Sequence, residues 1–338
     1  MKIKSLLSSA LLFCSLVVVF SASVTAGLIQ TQDKTNKAKV SDDEVKAAKA
    51  IETAPDANAK LAAAEEFVKK YPKSSNRFQI GEYLADQILG VADPNQKLTL
   101  AQKFPTIFTE PGEGNLIKPA LLDAYVQLKR LDEAFSNGSS YLASNGDDIR
   151  VLSLLAIAGT EEAKKRNAKY VKESRQYGTK AIELIEGDKK PARMEDAFWA
   201  KQKSGLPQLY QEMAIISLVE GNSAEAQAKL EKSQKLNPAD PFNYVMMGSI
   251  TNDEYQAVAQ NFRNMPDGKA KDDMFQKANA LLDKIIDQYA HAVALSEGKP
   301  QYKVLHDQVF QDLSSYYSYR HNKSTEGLQK LIDSYKLP

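Results

Sequence analysis

The sequence has very little sulfur or imidazole chemistry. Its single cysteine is Cys14, and its three histidines are His291, His306 and His321. One cysteine excludes a disulfide within the chain and a site built from several thiolates. The histidines are evenly spaced and fall on different predicted helices or at a helix end, whereas zinc ligands usually come in pairs from one short segment. The sequence therefore predicts no metal site.

The sequence also lacks the short motifs that mark common catalytic sites. It contains no phosphate-binding glycine loop, nucleophile elbow or His-Glu-x-x-His helix. Ser296 and Lys299 have the spacing of a Ser-x-x-Lys nucleophile, but the Ser-Asp-Asn and Lys-Thr-Gly elements that accompany it are absent. Adjacent acids such as Glu161 and Glu162 diverge on a helix and seldom converge on one substrate. We therefore predict a protein that is not an enzyme and has no cofactor.

Neither sign of charge is in excess. The chain has 44 basic and 43 acidic side chains, and removal of residues 1–26 would take away two lysines and no acid. Such a balance provides no long-range attraction for a polyanion. We therefore expect no nucleic-acid partner.

The N-terminus has the pattern of a secretory signal peptide. Lys2 and Lys4 precede an apolar stretch over residues 6–20, and Ala26 lies in a position compatible with cleavage. The alternative is an uncleaved anchor, but the stretch contains serines and is shorter than the roughly 20 residues that span a bilayer. We predict cleavage after Ala26, a flexible leader over residues 27–40, and a periplasmic or secreted protein without stable membrane insertion.

The clearest positive feature is a pattern that recurs after 34 residues. The recurring positions are Pro207, Tyr210, Met213 and Ala214, followed by Pro241, Tyr244, Met247 and Gly248. Small residues let two helices approach closely, and large residues fill the groove between them. A helical hairpin of this length cannot bury its own apolar face, so the repeat predicts a stack of such hairpins.

The repeat resembles the tetratricopeptide (TPR) family. The match is strong over residues 207–248, moderate over residues 41–74 and 115–148, and weak elsewhere. Lys60 stands where the family has a small residue, and Ser217 stands where a tyrosine is usual. The resemblance implies an exported bacterial TPR protein whose fold is all-α, a right-handed superhelical solenoid of antiparallel helical hairpins.

The repeats and their cap divide the predicted folded region into one elongated domain. TPR-like repeats are expected over residues 41–298, with an interruption near residues 252–272 that is the first place to look for an unusual function. Capping helices are expected over residues 299–338, because a stack needs an end with one polar face. No run of alternating apolar and polar residues is long enough to predict a strand.

The resemblance also implies where a partner would bind. First helices of TPR hairpins line a concave face that takes an extended peptide or a partner helix. On this chain the polar residues predicted for that face are Gln208, Gln211, Glu212 and Asn243. The leading prediction is a non-catalytic scaffold, or adaptor, for a protein or peptide of unknown identity.

Aromatic residues support an alternative function. The densest patches are Phe198 with Trp199, and the tyrosines at 316, 317 and 319. Such residues usually fill the groove between stacked helices, but an exposed ring can anchor a peptide or stack on a sugar. The alternative prediction is therefore a soluble receptor for a small ligand such as a glycan, with Trp199 and Tyr255 as stacking platforms. An open groove favours the scaffold, and a closed pocket favours the receptor.

Overall fold

The computed structural model describes residues 41–191 and 194–336, and all regular elements in these ranges are helical. The predicted signal peptide and leader lie outside these residues. The helices are α1 (Asp42–Thr53), α2 (Ala57–Lys70), α3 (Arg77–Leu89), α4 (Pro94–Ile107), α5 (Glu113–Leu116), α6 (Lys118–Gln127), α7 (Leu131–Leu142), α8 (Ile149–Lys164), α9 (Val171–Glu186), α10 (Asp196–Ser204), α11 (Leu206–Val219), α12 (Ser223–Leu236), α13 (Pro241–Asn264), α14 (Lys269–Ser296), a 3₁₀ turn (Pro300–Tyr302), α15 (Lys303–Arg320) and α16 (Leu328–Asp333). Over the described part of the chain, none of them is long and apolar enough to cross a membrane.

The chain divides into two compact units between Ala158 and Gly159. Described residues 41–158 form the N-terminal unit, and the described residues after 158 form the C-terminal unit. The sequence predicts one elongated domain, so this division is a further finding. In each unit consecutive helices pack against each other as antiparallel hairpins, such as α1 with α2 and α11 with α12. The predicted all-α arrangement of helical hairpins is confirmed in the described residues.

Helix starts follow local capping signals. The side chain of Ser41 accepts a hydrogen bond from the main-chain nitrogen of Glu44 at 3.2 Å, and acidic residues fill the first turn of α1. Asp93 caps α4 in the same way, with Pro94 at its first position. These contacts satisfy main-chain N–H groups that have no partner within the helix, and the acids oppose the positive end of its dipole.

Small residues of the repeat mark places where helices approach closely. Ala214 and Ala226 are fully buried between α11 and α12, and Gly221 has φ 78° in the turn that joins these helices. Gly248 lies on α13, where a Cβ atom would stand 2.2 Å from a ring carbon of Tyr289 on α14. The repeat therefore specifies not only helices but also the distance between them.

Lys60 and Ser217, the two residues that depart from the TPR pattern, both make polar contacts. The Lys60 ammonium is buried and donates to the main-chain oxygen of Ile51 at 3.4 Å and to the hydroxyl of Tyr83 at 2.7 Å. It thereby caps carbonyl groups at the end of α1. Ser217 is also buried, and its hydroxyl accepts a hydrogen bond from Arg175 at 3.3 Å.

Residues 252–272 lengthen a hairpin in the structure. The sequence predicts an interruption there, with a second helix resuming near Asp273. Instead α13 continues to Asn264, and α14 begins at Lys269. The first proline after Pro241 is Pro266, so no proline ends α13 sooner, and the earlier Gly248 is tolerated inside the helix.

The C-terminal helices cover α14. Both α15 and α16 pack against it, in the place of the predicted cap. The helix α15 exposes three large side chains, Val304, Phe310 and Tyr319. One helix of this unit, α10, has no counterpart in the sequence prediction.

Candidate functional site

The residues predicted to bind a partner are mostly buried. Gln211, Glu212, Asn243 and Trp199 are buried, whereas Gln208 and Tyr255 are half-buried. Their role in partner binding stays a prediction, but the structure shows which contacts each already makes.

Gln211 and Asn243 join two neighbouring hairpins. The side-chain nitrogen of Gln211 on α11 donates to Asn243 Oδ1 at 2.9 Å and to Asp240 Oδ2 at 2.8 Å. Asp240 in turn caps α13 by accepting from the main-chain nitrogen of Phe242. The two amides therefore fix the start of α13 against α11 and meet their hydrogen-bonding needs inside the protein.

Glu212 takes part in a buried ion pair. Lys164 Nζ lies 3.1 Å from Glu212 Oε2 and 2.7 Å from Glu161 Oε1. The side chains of Lys164 and Glu212 are 3% and 2% exposed. Burial by itself lowers the pKa of Lys164, but the charges of Glu212 and Glu161 hold that pKa above its usual value. Glu212, one helical turn after Gln208, is therefore already paired with a cation of its own unit.

Trp199 anchors the segment that precedes α10. Its indole nitrogen donates to Asp188 Oδ1 at 2.9 Å, and Lys203 Nζ lies 5.9 Å from its ring centroid. The hydrogen bond from Trp199 and the charge of Lys203 lower the pKa of Asp188. Because the ring is buried, it offers little free face for stacking on a sugar.

Tyr255 belongs to a cluster in the C-terminal unit that we call the acid–tyrosine cluster. Its members are Asn252, Asp253 and Tyr255 on α13, Tyr289 on α14, and Asp312, Tyr316 and Tyr319 on α15. The Tyr316 hydroxyl donates to Asn252 Oδ1 at 2.7 Å, and the rings of Tyr289 and Tyr316 lie 6.1 Å apart. Three helices of one unit therefore contribute to one group of polar and aromatic side chains.

Burial and the two carboxyl groups of this cluster raise the pKa values of its buried tyrosine hydroxyls. Burial and the charges of Asp312, Tyr255 and Asp253 raise the pKa of Tyr316 to about 12. Burial, Tyr316, Asp312 and Asp253 also raise the pKa of Tyr289. Burial raises the pKa of both Asp253 and Asp312 as well, with no opposing cation.

Two polar atoms of the cluster have unmet hydrogen-bonding capacity. The Tyr289 hydroxyl and one oxygen of Asp312 are buried and make no hydrogen bond within the described part of the chain. Buried polar atoms in native proteins normally have a partner, which is often a water molecule, an ion or a ligand. The Tyr289 hydroxyl and this Asp312 oxygen are therefore candidates for a hydrogen bond to a group outside the described residues.

The cluster extends from the interior of the unit to its surface. Tyr289 is fully buried and Tyr316 is 6% exposed, whereas Tyr319 is 73% exposed. Asp253 is also exposed. Burial raises the pKa of Tyr255, and the charge of Arg263 opposes this rise. Arg263 does not contribute to the pKa of either carboxyl group. Carboxylates accept hydrogen bonds from cations, and the faces of phenol rings attract cations.

Sequence reasoning found only part of this cluster. Tyr255 was predicted as a binding residue, and Tyr316 and Tyr319 were predicted to pack. Asp312 lies one helical turn before Tyr316, a spacing that places both on one face of α15 and could have been noticed. The unmet hydroxyl of Tyr289 has no signal in the sequence, because it depends on how α14 packs against α13 and α15.

The N-terminal unit contains a cavity too small for a ligand. Its volume of ≈ 10 Å³ leaves room for at most one water molecule. The lining residues are Leu89, Pro119, Asp123, Arg150, Val151 and Leu154. Asp123 there is paired with buried Lys97 and accepts from Gln127 at 2.6 Å. This polar group is satisfied by its own neighbours.

Comparisons with known proteins do not identify a family. No family model and no curated protein matches the chain. Among solved structures, the chain is similar to IFIT1, in a structure of a monomeric mutant with m7Gppp-AAAA, at 14% identity and a TM-score of 0.38. The alignment covers 83% of this chain and 56% of that chain, so this chain spans little more than half of it. Such a loose likeness supports no functional assignment, and the all-α assignment rests on the helices of the chain itself.

Proposed function

We propose that this protein is a non-catalytic scaffold that binds a partner protein or peptide, and that the acid–tyrosine cluster is a contact site. One observation supports this most directly. One oxygen of Asp312 and the Tyr289 hydroxyl are buried and make no hydrogen bond within the described residues, next to a surface where Asp253 and Tyr319 are exposed. Unpaired buried polar groups are costly, so they are expected to gain a partner when the protein functions.

The surroundings of the cluster favour a macromolecular partner. Tyr319, a member of the cluster, is 73% exposed, and Val304, which its helical spacing places toward the same side of α15, is 57% exposed. Exposed aromatic side chains beside a polar site are typical anchors at protein interfaces. The alternative, a receptor for a glycan, would use Tyr255 and Tyr319 as platforms, because Trp199 is buried.

A photoreactive amino acid in place of Tyr319 is expected to crosslink the partner in the native cell. Tyr319 is the most exposed member of the cluster, so a probe there should not disturb packing. The measurement is mass spectrometry of the purified adduct. The matched control carries the probe at Leu236, an apolar residue of the same unit that is 51% exposed and lies outside the cluster. A discrete protein adduct at 319 alone supports the scaffold, whereas the same adducts at both positions, or none, would contradict it.

We also propose that the protein is exported to the periplasm or secreted. The apolar stretch over residues 6–20 and the small residues up to Ala26 support this. The mature protein, purified from its native cell, is expected to begin at Gly27. The intact mass and N-terminal peptide would show this, and a chain that keeps Met1 or residues 2–26 would contradict it.

A further inference from the structure

We propose that the acid–tyrosine cluster is a receptor for one basic side chain of the partner, and that the guanidinium group of an arginine fits it best. The proposal deepens the proposed function and rests on it for the partner being a protein. The cation-binding property itself rests on the residues of the cluster.

The acids of the cluster differ from the acids around them in being unpaired. Glu254, next to Asp253, is 3.0 Å from Lys277. Asp283 on α14 is 2.7 Å from Arg320. Within the described residues, Asp253 and Asp312 form no such pair. The charges of both carboxyl groups reach the same buried tyrosines, Tyr289 and Tyr316, and no cation of the described residues balances them.

The Tyr289 hydroxyl supplies an independent observation. Tyr289 is 0% exposed, and its hydroxyl has no hydrogen-bond partner although it lies within the electrostatic reach of Asp253 and Asp312. Asn252 Oδ1 is already occupied, since it accepts from Tyr316 at 2.7 Å and from Gln256 at 3.2 Å. The free acceptors are therefore the Tyr289 oxygen and the buried Asp312 oxygen, which suit a ligand with several N–H donors.

The tyrosines of the cluster favour an organic cation over a metal ion. The cluster contains four tyrosines, and the rings of Tyr289 and Tyr316 lie 6.1 Å apart within it. A guanidinium group is planar, stacks on aromatic faces, and donates two parallel hydrogen bonds to a carboxylate. A metal ion would need more oxygen or nitrogen ligands, and no three His, Cys, Asp or Glu residues come together in the described ranges.

The test measures binding of short blocked peptides to the full mature chain by calorimetry. The probe is acetyl-Gly-Gly-Arg-Gly-Gly-amide, and its matched control has citrulline, which keeps the shape and loses the charge. We expect the arginine peptide to bind at least ten-fold more tightly than the citrulline peptide. A lysine peptide should bind more weakly than the arginine peptide but more tightly than its norleucine control. Equal binding of arginine and citrulline would overturn the proposal.

Variants locate the binding to the cluster. Asp312→Asn is expected to weaken arginine-peptide binding at least five-fold, and Asp253→Asn, at an exposed position, should do the same even if the first variant folds poorly. The control is Asp283→Asn, which removes an acid on α14 that Arg320 already pairs. An equal loss in the control would place the binding elsewhere and overturn the proposal.

The two proposals can fail separately. If the crosslinked partner adduct at 319 persists in the Asp253→Asn Asp312→Asn double variant, and neither peptide binds, then the scaffold stands and the basic side chain is wrong. If the arginine peptide binds but no protein adduct forms in the cell, then the cluster binds a cation and the proposed scaffold function is wrong. A single ordered water bridging Tyr289 and Asp312, with no peptide binding, also overturns the inference.

Discussion

Replacement of Lys164 by methionine is expected to lower the free energy of unfolding by about 3 kcal/mol at pH 7, because it leaves a buried carboxylate without its cation. Lys164 and Glu212 are 3% and 2% exposed, and they lie 3.1 Å apart. Methionine preserves most of the side-chain volume, so the loss reports charge rather than a cavity. Urea unfolding followed by far-ultraviolet circular dichroism measures the change.

The loss should depend on pH in a defined direction. Burial raises the pKa of Glu212, and Lys164 opposes that rise in the wild-type protein. Without Lys164, the folded-state pKa of Glu212 lies further above its unfolded value near 4.5. A group with a raised folded pKa stabilises the fold below its unfolded pKa, and this stabilisation is lost as the pH rises through the folded pKa. The deficit of the variant should therefore shrink as the pH falls from 7 toward 4.5.

Two further variants separate the ion pair from its surroundings. Lys165→Met removes the adjacent lysine, which is 55% exposed and pairs with Glu162, and it should change stability by no more than roughly 0.5 kcal/mol. Adding Glu212→Leu to Lys164→Met should recover most of the loss, since an apolar pair can replace a buried ion pair. A double variant that is less stable than either single variant would contradict this account.

Replacement of Gly248 by alanine is expected to lower the free energy of unfolding by about 2 kcal/mol, because overpacking is costly. The added Cβ atom would stand 2.2 Å from Cε1 and 2.6 Å from Cδ1 of Tyr289, a fully buried and rigid ring. Alanine favours a helix over glycine by up to about 1 kcal/mol, so a net loss shows that the clash dominates. Thermal or urea unfolding measures the change.

Gly205→Ala is the matched control in the same unit. Its Cβ atom would meet Gln202 O at 3.4 Å, an ordinary contact, and its φ of −82° suits alanine. The free energy of unfolding of the Gly205→Ala protein should be unchanged or slightly higher. Gly248→Ala should also weaken arginine-peptide binding, because Tyr289 must move within the acid–tyrosine cluster. A Gly248→Ala protein as stable as the Gly205→Ala protein would show that α13 and α14 separate at little cost.

Local sequence signals predicted much of the fold. Ser41 begins α1, Gly221 turns between α11 and α12, and Ala214 and Ala226 lie between these helices, as the 34-residue pattern requires. Each of these signals acts over a few residues of one hairpin, through a cap, a backbone angle or a helical spacing. A single sequence shows such effects directly.

The candidate site could be predicted only in part. Tyr255 was found because it lies in the segment that departs from the repeat. Gln211 and Asn243 were placed on a binding face by analogy, but their hydrogen bond joins residues 32 positions apart. Whether a polar side chain on a first helix stays free depends on what the next hairpin offers it, and the repeat pattern does not contain that information.

Helical periodicity, caps and small residues are short-range properties of the chain, and they are enough to predict that this protein is built from helical hairpins. Tertiary packing alone decided which polar groups are satisfied. Glu212 forms an ion pair with Lys164, whereas the Tyr289 hydroxyl on α14 and one oxygen of Asp312 on α15 are buried and make no hydrogen bond within the described part of the chain. The reason is physical: burial and pairing depend on contacts between helices, and these form only when the hairpins pack.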